Sequence, residues 1–87
     1  MGITGIDWMV KLPVFGTYVA TADDVTNGYA LINTGRADAT GFVVQVLRGG
    51  IVTGSAKASI TAGVLRVEDN GETYVVTAGD VISWIVF

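Results

Sequence analysis

VLRVEDNGETYVVTAGDVISWIVF, residues Val64 to Phe87, is the stretch whose reading decides the fold. It divides into three consecutive antiparallel strands. Asn70-Gly71 is a strong hairpin signal, because a two-residue type I′ turn requires positive φ at both central residues. With those two at the turn, Val67 faces Tyr74, Arg66 faces Val75 and Leu65 faces Val76, while Glu68 faces Thr73 and Asp69 faces Glu72. Leu65, Val67, Tyr74 and Val76 then share one side of the ribbon. Arg66, Glu68, Thr73 and Val75 share the other. A slip of one residue would send all of these side chains to the wrong face. Thr77-Ala78-Gly79-Asp80 makes a second turn, and Val81 to Phe87 follows as a strand apolar on both faces.

The same punctuation recurs upstream. Thr61-Ala62-Gly63 turns the chain into the ribbon from a long strand of small residues, Ile51 to Ile60, in which Gly54 and Ala56 mark a bulge or a close approach. Arg48-Gly49-Gly50 is the turn before it. Phe42 to Leu47 is a strand apolar on both faces except at Gln45. Thr34 to Asp38 is a polar loop, Tyr29 to Asn33 a short strand, and Thr21 to Gly28 a loop closed by Asn-Gly. Val14 to Ala20 is a strand rich in β-branched and aromatic residues. Ile6, Trp8, Val10 and Leu12 alternate with Asp7, Met9 and Lys11, the pattern of a half-buried strand. Pro13 ends that strand or places it on an edge, since proline cannot donate to a ladder. Ile60-Thr61-Ala62-Gly63 and Val76-Thr77-Ala78-Gly79 share a strand-end sequence, one pair being too few for a repeat architecture. No long stretch has helical periodicity with caps. About eight short strands with frequent Gly turns predict an all-β fold. It is either a small antiparallel sandwich of jelly-roll-like character or a β-barrel, with no helix beyond a single turn. Residues 1–13 form an N-terminal arm and first strand, and residues 14–87 a single β-sandwich domain.

A chain of 87 residues is one domain that buries roughly two-thirds of its unfolded surface. It has no Cys to staple it and no His to act as metal ligand or neutral-pH base. Charged residues are 15%, against about 25% in an average domain. So little charge covers a small monomer poorly, which points to a surface partly covered by other protein. The net charge of −3 offers no basic stripe for nucleic acid. Glu68, Asp69, Glu72 and Asp80 give residues 67–87 a charge of −4, while five basic and four acidic residues leave +1 elsewhere. Most of these acids fall in turns, where they serve solubility and turn chemistry. No basic region followed by an apolar run opens the chain, Ile6 stands where a myristoylation motif needs Ser or Thr, and no run is long enough to span a membrane. A cytosolic or virion protein fits best.

Asp23-Asp24 and Glu68-Asp69-Glu72 are the candidate carboxylate groups. A glycosidase needs two carboxylates across a cleft, for which this chain has little room, and Ca²⁺ needs about six oxygen ligands. Ser55, Ser59 and Ser83 have no His to activate them. Lys11 and Lys57 belong to strand surfaces. Gly49-Gly50 with Gly54 lacks phosphate-loop spacing. No cofactor and no enzymatic activity are expected. Trp8, Tyr18, Tyr29, Tyr74 and Trp84 would suit a sugar-stacking platform if exposed together; the alternative is packing, favoured for Trp84 by its apolar strand.

Arg48-Gly49-Gly50, Gly63-Val64-Leu65-Arg66-Val67 and Thr77-Ala78-Gly79-Asp80-Val81-Ile82-Ser83-Trp84 together resemble the small capsid-decoration, or cement, proteins of tailed bacteriophages, over roughly Gly16 to Phe87. The resemblance implies a non-enzymatic virion protein, made in the host cytoplasm and placed on the capsid surface. It further implies a homo-oligomer, often trimeric, that binds the major capsid protein and reaches a neighbour with an arm. It transfers no functional residue, because that family has no motif site. Spike, neck and tail modules of phages look similar, and a small carbohydrate-binding module is a further alternative. In this chain the arm would be Met1 to Trp8, with Ile3, Ile6 and Trp8 as its anchors, buried aromatics being common interface hot spots. The same segment would otherwise add an edge strand to its own sandwich.

Overall fold

The computed structural model describes residues 13–53, 56–71 and 74–87. Seven strands among the described residues form two antiparallel sheets, so the fold is a small all-β sandwich. The strands are β1 (Val14–Val19), β2 (Tyr29–Asn33), β3 (Phe42–Arg48), β4 (Ile51–Val52), β5 (Lys57–Thr61), β6 (Val64–Glu68) and β7 (Val81–Val86). One sheet has the order β1-β7-β3-β4 and the other β2-β6-β5. The expected strand from Ile6 to Leu12 lies outside the described residues.

Period-two alternation builds the core. Ile82, Trp84 and Val86 point inward from β7, Leu65 and Val67 from β6, and Ala30 and Ile32 from β2. Val46, Tyr74 and Val76 complete the cluster between the sheets. The Trp84 indole Nε1–H meets no acceptor among the described residues. The two-residue loop Gly49-Gly50 joins β3 to β4, and Ala62-Gly63 joins β5 to β6. All four of these residues have positive φ, as the tight turn requires.

The structure corrects the expected ribbon. Strand β6 is the centre of its sheet, with β2 on one side and β5 on the other. Leu65 pairs with Ile32 and Ile60, and Val67 with Ala30 and Ala58, so residues 74–76 have no free edge to join. The inward pattern survives, since Leu65, Val67, Tyr74 and Val76 are all buried. Two side-chain acceptors and one backbone bond replace the missing ladder. Tyr74 N donates to Asn70 Oδ1 at 2.9 Å, Asn70 N donates to Tyr74 O at 3.2 Å, and Val76 N donates to Asp69 Oδ1 at 2.6 Å. Asx side chains commonly mimic backbone acceptors in this way. Gly71 alone takes positive φ, at 80°, with open space where a Cβ would stand. Gly71→Val should therefore destabilise through backbone strain alone, by about 1–2 kcal/mol. An unchanged melting temperature would contradict this.

Two further expectations change. The segment 21–28 is a short helix, α1 (Ala22–Asn27), longer than the single turn allowed for. Its amphipathic signal is absent, and only its caps betray it. The expected strand from Ile51 to Ile60 is two strands in different sheets: β4 pairs with β3 and β5 with β6. The chain changes layers between them, and Gly54 lies in the part outside the described residues.

Candidate functional site

Of the acidic residues singled out as candidate ligands or catalysts, Asp24, Glu68 and Asp69 serve the architecture, and Glu72 lies outside the described residues. Asp24 closes the capping box of α1: its N–H donates to Thr21 Oγ1 at 3.2 Å, and its Oδ2 accepts from Thr21 N at 2.9 Å. The Tyr18 hydroxyl donates to the same Oδ2 at 2.7 Å. Burial pushes this carboxyl up, but the bonds from Thr21 N–H, the Tyr18 hydroxyl and the Thr21 hydroxyl outweigh it and hold it below the ordinary range. Asp69 is taken by Val76 N. Glu68 pairs with Arg66 at 3.2 Å and with Lys57 at 3.8 Å. Asp23 is exposed on α1. No group of three or more potential metal-ligating side chains occurs among the described residues.

Asp80 is the most deeply committed acid, at 1% exposure. Arg48 grips it with two bonds, Nε to Oδ1 at 2.8 Å and a terminal nitrogen to Oδ2 at 2.9 Å, the bidentate geometry that guanidinium favours. The Tyr74 hydroxyl and Thr77 N each donate to Oδ2 at 3.2 Å. The Arg48 bonds hold the Asp80 carboxyl below its usual range. Burial, reinforced by the Asp80 charge, pushes Tyr74 up to about 12. Arg48 also donates to Val75 O and Thr77 Oγ1, each at 3.0 Å. The arginine at the end of β3 thus fastens the irregular segment 74–80 to the sheet.

A signal for both clasps stood in the sequence and was missed. Tyr18-Val19-Ala20-Thr21-Ala22-Asp23-Asp24 and Tyr74-Val75-Val76-Thr77-Ala78-Gly79-Asp80 agree at five of seven positions. In each, the tyrosine hydroxyl and the threonine N–H donate to Oδ2 of the aspartate. The two copies touch: Ala20 N donates to Asp80 O, and Gly79 N to Ala20 O, both at 2.9 Å. They brace the same end of the β1–β7 pair.

With the acids so used, the surface that remains is the outer face of the four-stranded sheet. Its side chains fall into three cross-strand rows. Phe15, Ile85 and Val43 form the first, Thr17, Ser83 and Gln45 the second, and Val19, Val81 and Leu47 the third, with Val52 beside Leu47. No charged residue occurs in these rows. Phe15 is 78% exposed, and Val19, Val43 and Val52 are each more than half exposed. The outer face of the other sheet is of the opposite kind. Lys57, Glu68 and Tyr29 lie in one row, and Arg66 stacks 3.9 Å over the Tyr29 ring while pairing with Glu68. That is a face made for water.

The expected apolar outer faces of β3 and β7 are thus present, extended by β1 onto a continuous surface. A depression of about 390 Å³ opens on it, lined by Val43, Gln45, Val52, Thr53, Ser83 and Ile85. None of the described residues that line it is titratable. The aromatic residues do not gather into one exposed platform among the described residues. Trp84 and Tyr74 are buried, Tyr18 is bonded to Asp24, and Tyr29 lies under Arg66 on the opposite sheet. Ser59 lies on the outer side of β5 and Ser83 on that of β7, and Ser55 is outside the described residues. So are the anchor candidates Ile3, Ile6 and Trp8, along with Lys11. Comparison with protein-family models, with curated proteins and with solved structures finds no match to this chain.

Proposed function

We propose that this chain is a non-enzymatic structural protein that works by protein–protein assembly, decorating or cementing a bacteriophage capsid as a homo-oligomer bound to capsid subunits. The observation that carries the reading is the contrast between the two outer faces. A sheet of an antiparallel sandwich normally turns polar toward water. Here one sheet does so with a charged ladder, while the other presents three rows without a charge. An uncharged face with two exposed apolar rows marks an interaction site. The likeness to cement proteins adds the class of partner, the major capsid protein, and the virion surface as the location.

In this reading the segment Met1 to Trp8 is the arm that reaches a neighbouring subunit, anchored by Ile3, Ile6 and Trp8. Exposed Pro13 directly precedes β1, which is an edge of its sheet among the described residues. The test is co-sedimentation of the protein with purified phage capsids, run beside a chain lacking residues 1–8. Binding by the full chain, lost on truncation while circular dichroism stays unchanged, supports decoration through the arm. A full-length protein that ignores every capsid offered removes the proposal.

A further inference from the structure

The outer face of the four-stranded sheet has a pattern that names its occupant. Its rows run apolar, polar, apolar, and Ser83 stands at the centre, on the middle strand of the three long ones. A two-fold axis lying in the plane of such a face lays the polar row on a polar row and apolar on apolar. The absence of charge removes any repulsion between like faces. The relief selects the direction of the axis. Phe15, the most exposed large hydrophobic side chain of the described residues, stands on the β1 side of Ser83, and the depression beside Val43 and Ile85 opens on the β3 side. An axis along β7 carries β1 of one copy over β3 of the other.

We propose that this face seats a second copy of the same chain, about a two-fold axis running along β7 through Ser83, with Phe15 of each copy filling the depression of the other. The proposal rests on the assembly reading above and names the partner of that surface. Thr17 of one copy then meets Gln45 of its mate, hydroxyl to amide, and Val19 meets Leu47 and Val52. Two sheets packed this way lie about 10 Å apart with strands within about 30° of each other. Three strands of six or seven residues with the two-residue β4 beside them give a projected area on the order of 300 Å². That is small beside the roughly 800 Å² per partner of a standard interface. The dimer is therefore expected to be weak, with a dissociation constant in the micromolar range.

Sedimentation equilibrium of the full-length protein over about 1–200 μM tests this. The wild type should pass from monomer to dimer. Ser83→Lys sets two ammonium groups against each other on the axis and should keep the protein monomeric throughout, with an unchanged circular dichroism spectrum. Phe15→Ala, at a site too exposed to support the fold, should weaken the dimer at least roughly tenfold. Leu31→Lys, on the outer face of the other sheet, should change nothing. The chain has no cysteine, so Ser83→Cys introduces one thiol, which a bismaleimide spanning about 10 Å should join to its mate while leaving Leu31→Cys monomeric. A wild type that stays monomeric, a trimer, or a dimer that survives both Ser83→Lys and Phe15→Ala overturns the proposal. A monomer that binds capsids overturns it while sustaining the capsid binding proposed above, and a two-fold dimer that binds none does the reverse.

Discussion

Asp80→Asn should cost about 3 kcal/mol of folding stability. The carboxylate is 1% exposed and accepts four hydrogen bonds, two from a guanidinium. Bonds to a charged group are worth roughly 1.5–3 kcal/mol each, while the half-exposed Arg48 left behind can turn to water. Asn keeps the shape but turns one acceptor oxygen into a donor facing Arg48 or Tyr74. For a domain of this size each kcal/mol is about 4–8 °C, so the melting temperature should fall by roughly 15 °C. The same clasp shapes the pH dependence. The folded state holds the Asp80 carboxyl below the ordinary 3.8, so its contribution is complete above that pH and is lost as pH falls through the lower folded value. Tyr74 behaves oppositely. Its folded value rises from 10.0 to about 12, so its contribution is complete below pH 10 and is lost as pH climbs toward 12. Denaturant titrations from pH 2 to 12 should show both limbs. Asp80→Asn should shrink the acid limb, leaving what Asp24 supplies, and Tyr74→Phe should remove much of the alkaline one. A variant with wild-type stability at pH 7 would mean the clasp is ornamental.

The fold class was legible because alternation and turn chemistry are local. Val14 to Val19, Tyr29 to Asn33 and Phe42 to Arg48 announce themselves within a few residues. Partnership is not local. Asn70-Gly71 signals a turn, and Gly71 does take positive φ, but whether residues 74–76 join β6 depends on what already flanks it. β2, from far earlier in the chain, holds one edge, and β5, just across the two-residue turn, holds the other. Likewise nothing between Ile51 and Ile60 says that the chain changes sheets. Helix α1 was hidden because six residues carry no useful period, and its capping box, Thr21 with Asp24, has Asp where Glu or Gln is the usual signature.

The site was legible in part. Apolar residues on both faces of β3 and β7 pointed to a surface needing cover, and that surface exists. Its size and pattern needed the register, which alone puts Phe15 beside Ile85 and Val43, and Thr17 beside Ser83 and Gln45. The roles of Asp24 and Asp80 were within reach of the sequence. A tyrosine, a threonine and an aspartate repeat at one spacing, but a search for acidic clusters looks for acids near acids. These acids are near hydroxyls and an arginine instead.

Gly63→Ala should be the most damaging glycine-to-alanine change among the described residues, costing about 3 kcal/mol. Gly63 closes the β5–β6 turn at φ 79°, a conformation that costs an L-residue about 1–2 kcal/mol. A Cβ there would also stand 2.6 Å from the backbone oxygen of Arg36 and 2.7 Å from its carbonyl carbon. Backbone cannot swing aside as a side chain does, so the 34–37 loop must lift by most of an ångström. That loop is fastened to Gly63 itself. Thr34 N donates to Gly63 O at 3.0 Å, and the Thr34 hydroxyl donates to the same oxygen at 2.6 Å. Lifting the loop stretches both bonds, each worth about 1 kcal/mol, at a buried threonine. Gly28→Ala is the control. Its φ is 82°, so the backbone strain is the same, but nothing stands within 4 Å of the new Cβ. It should cost only about 1 kcal/mol. The difference between the two variants in urea midpoint, at equal m-value, isolates the close approach of loop and turn. Equal midpoints would show that the loop yields freely, and that the Thr34 bonds to Gly63 do not hold the two ends of that sheet together.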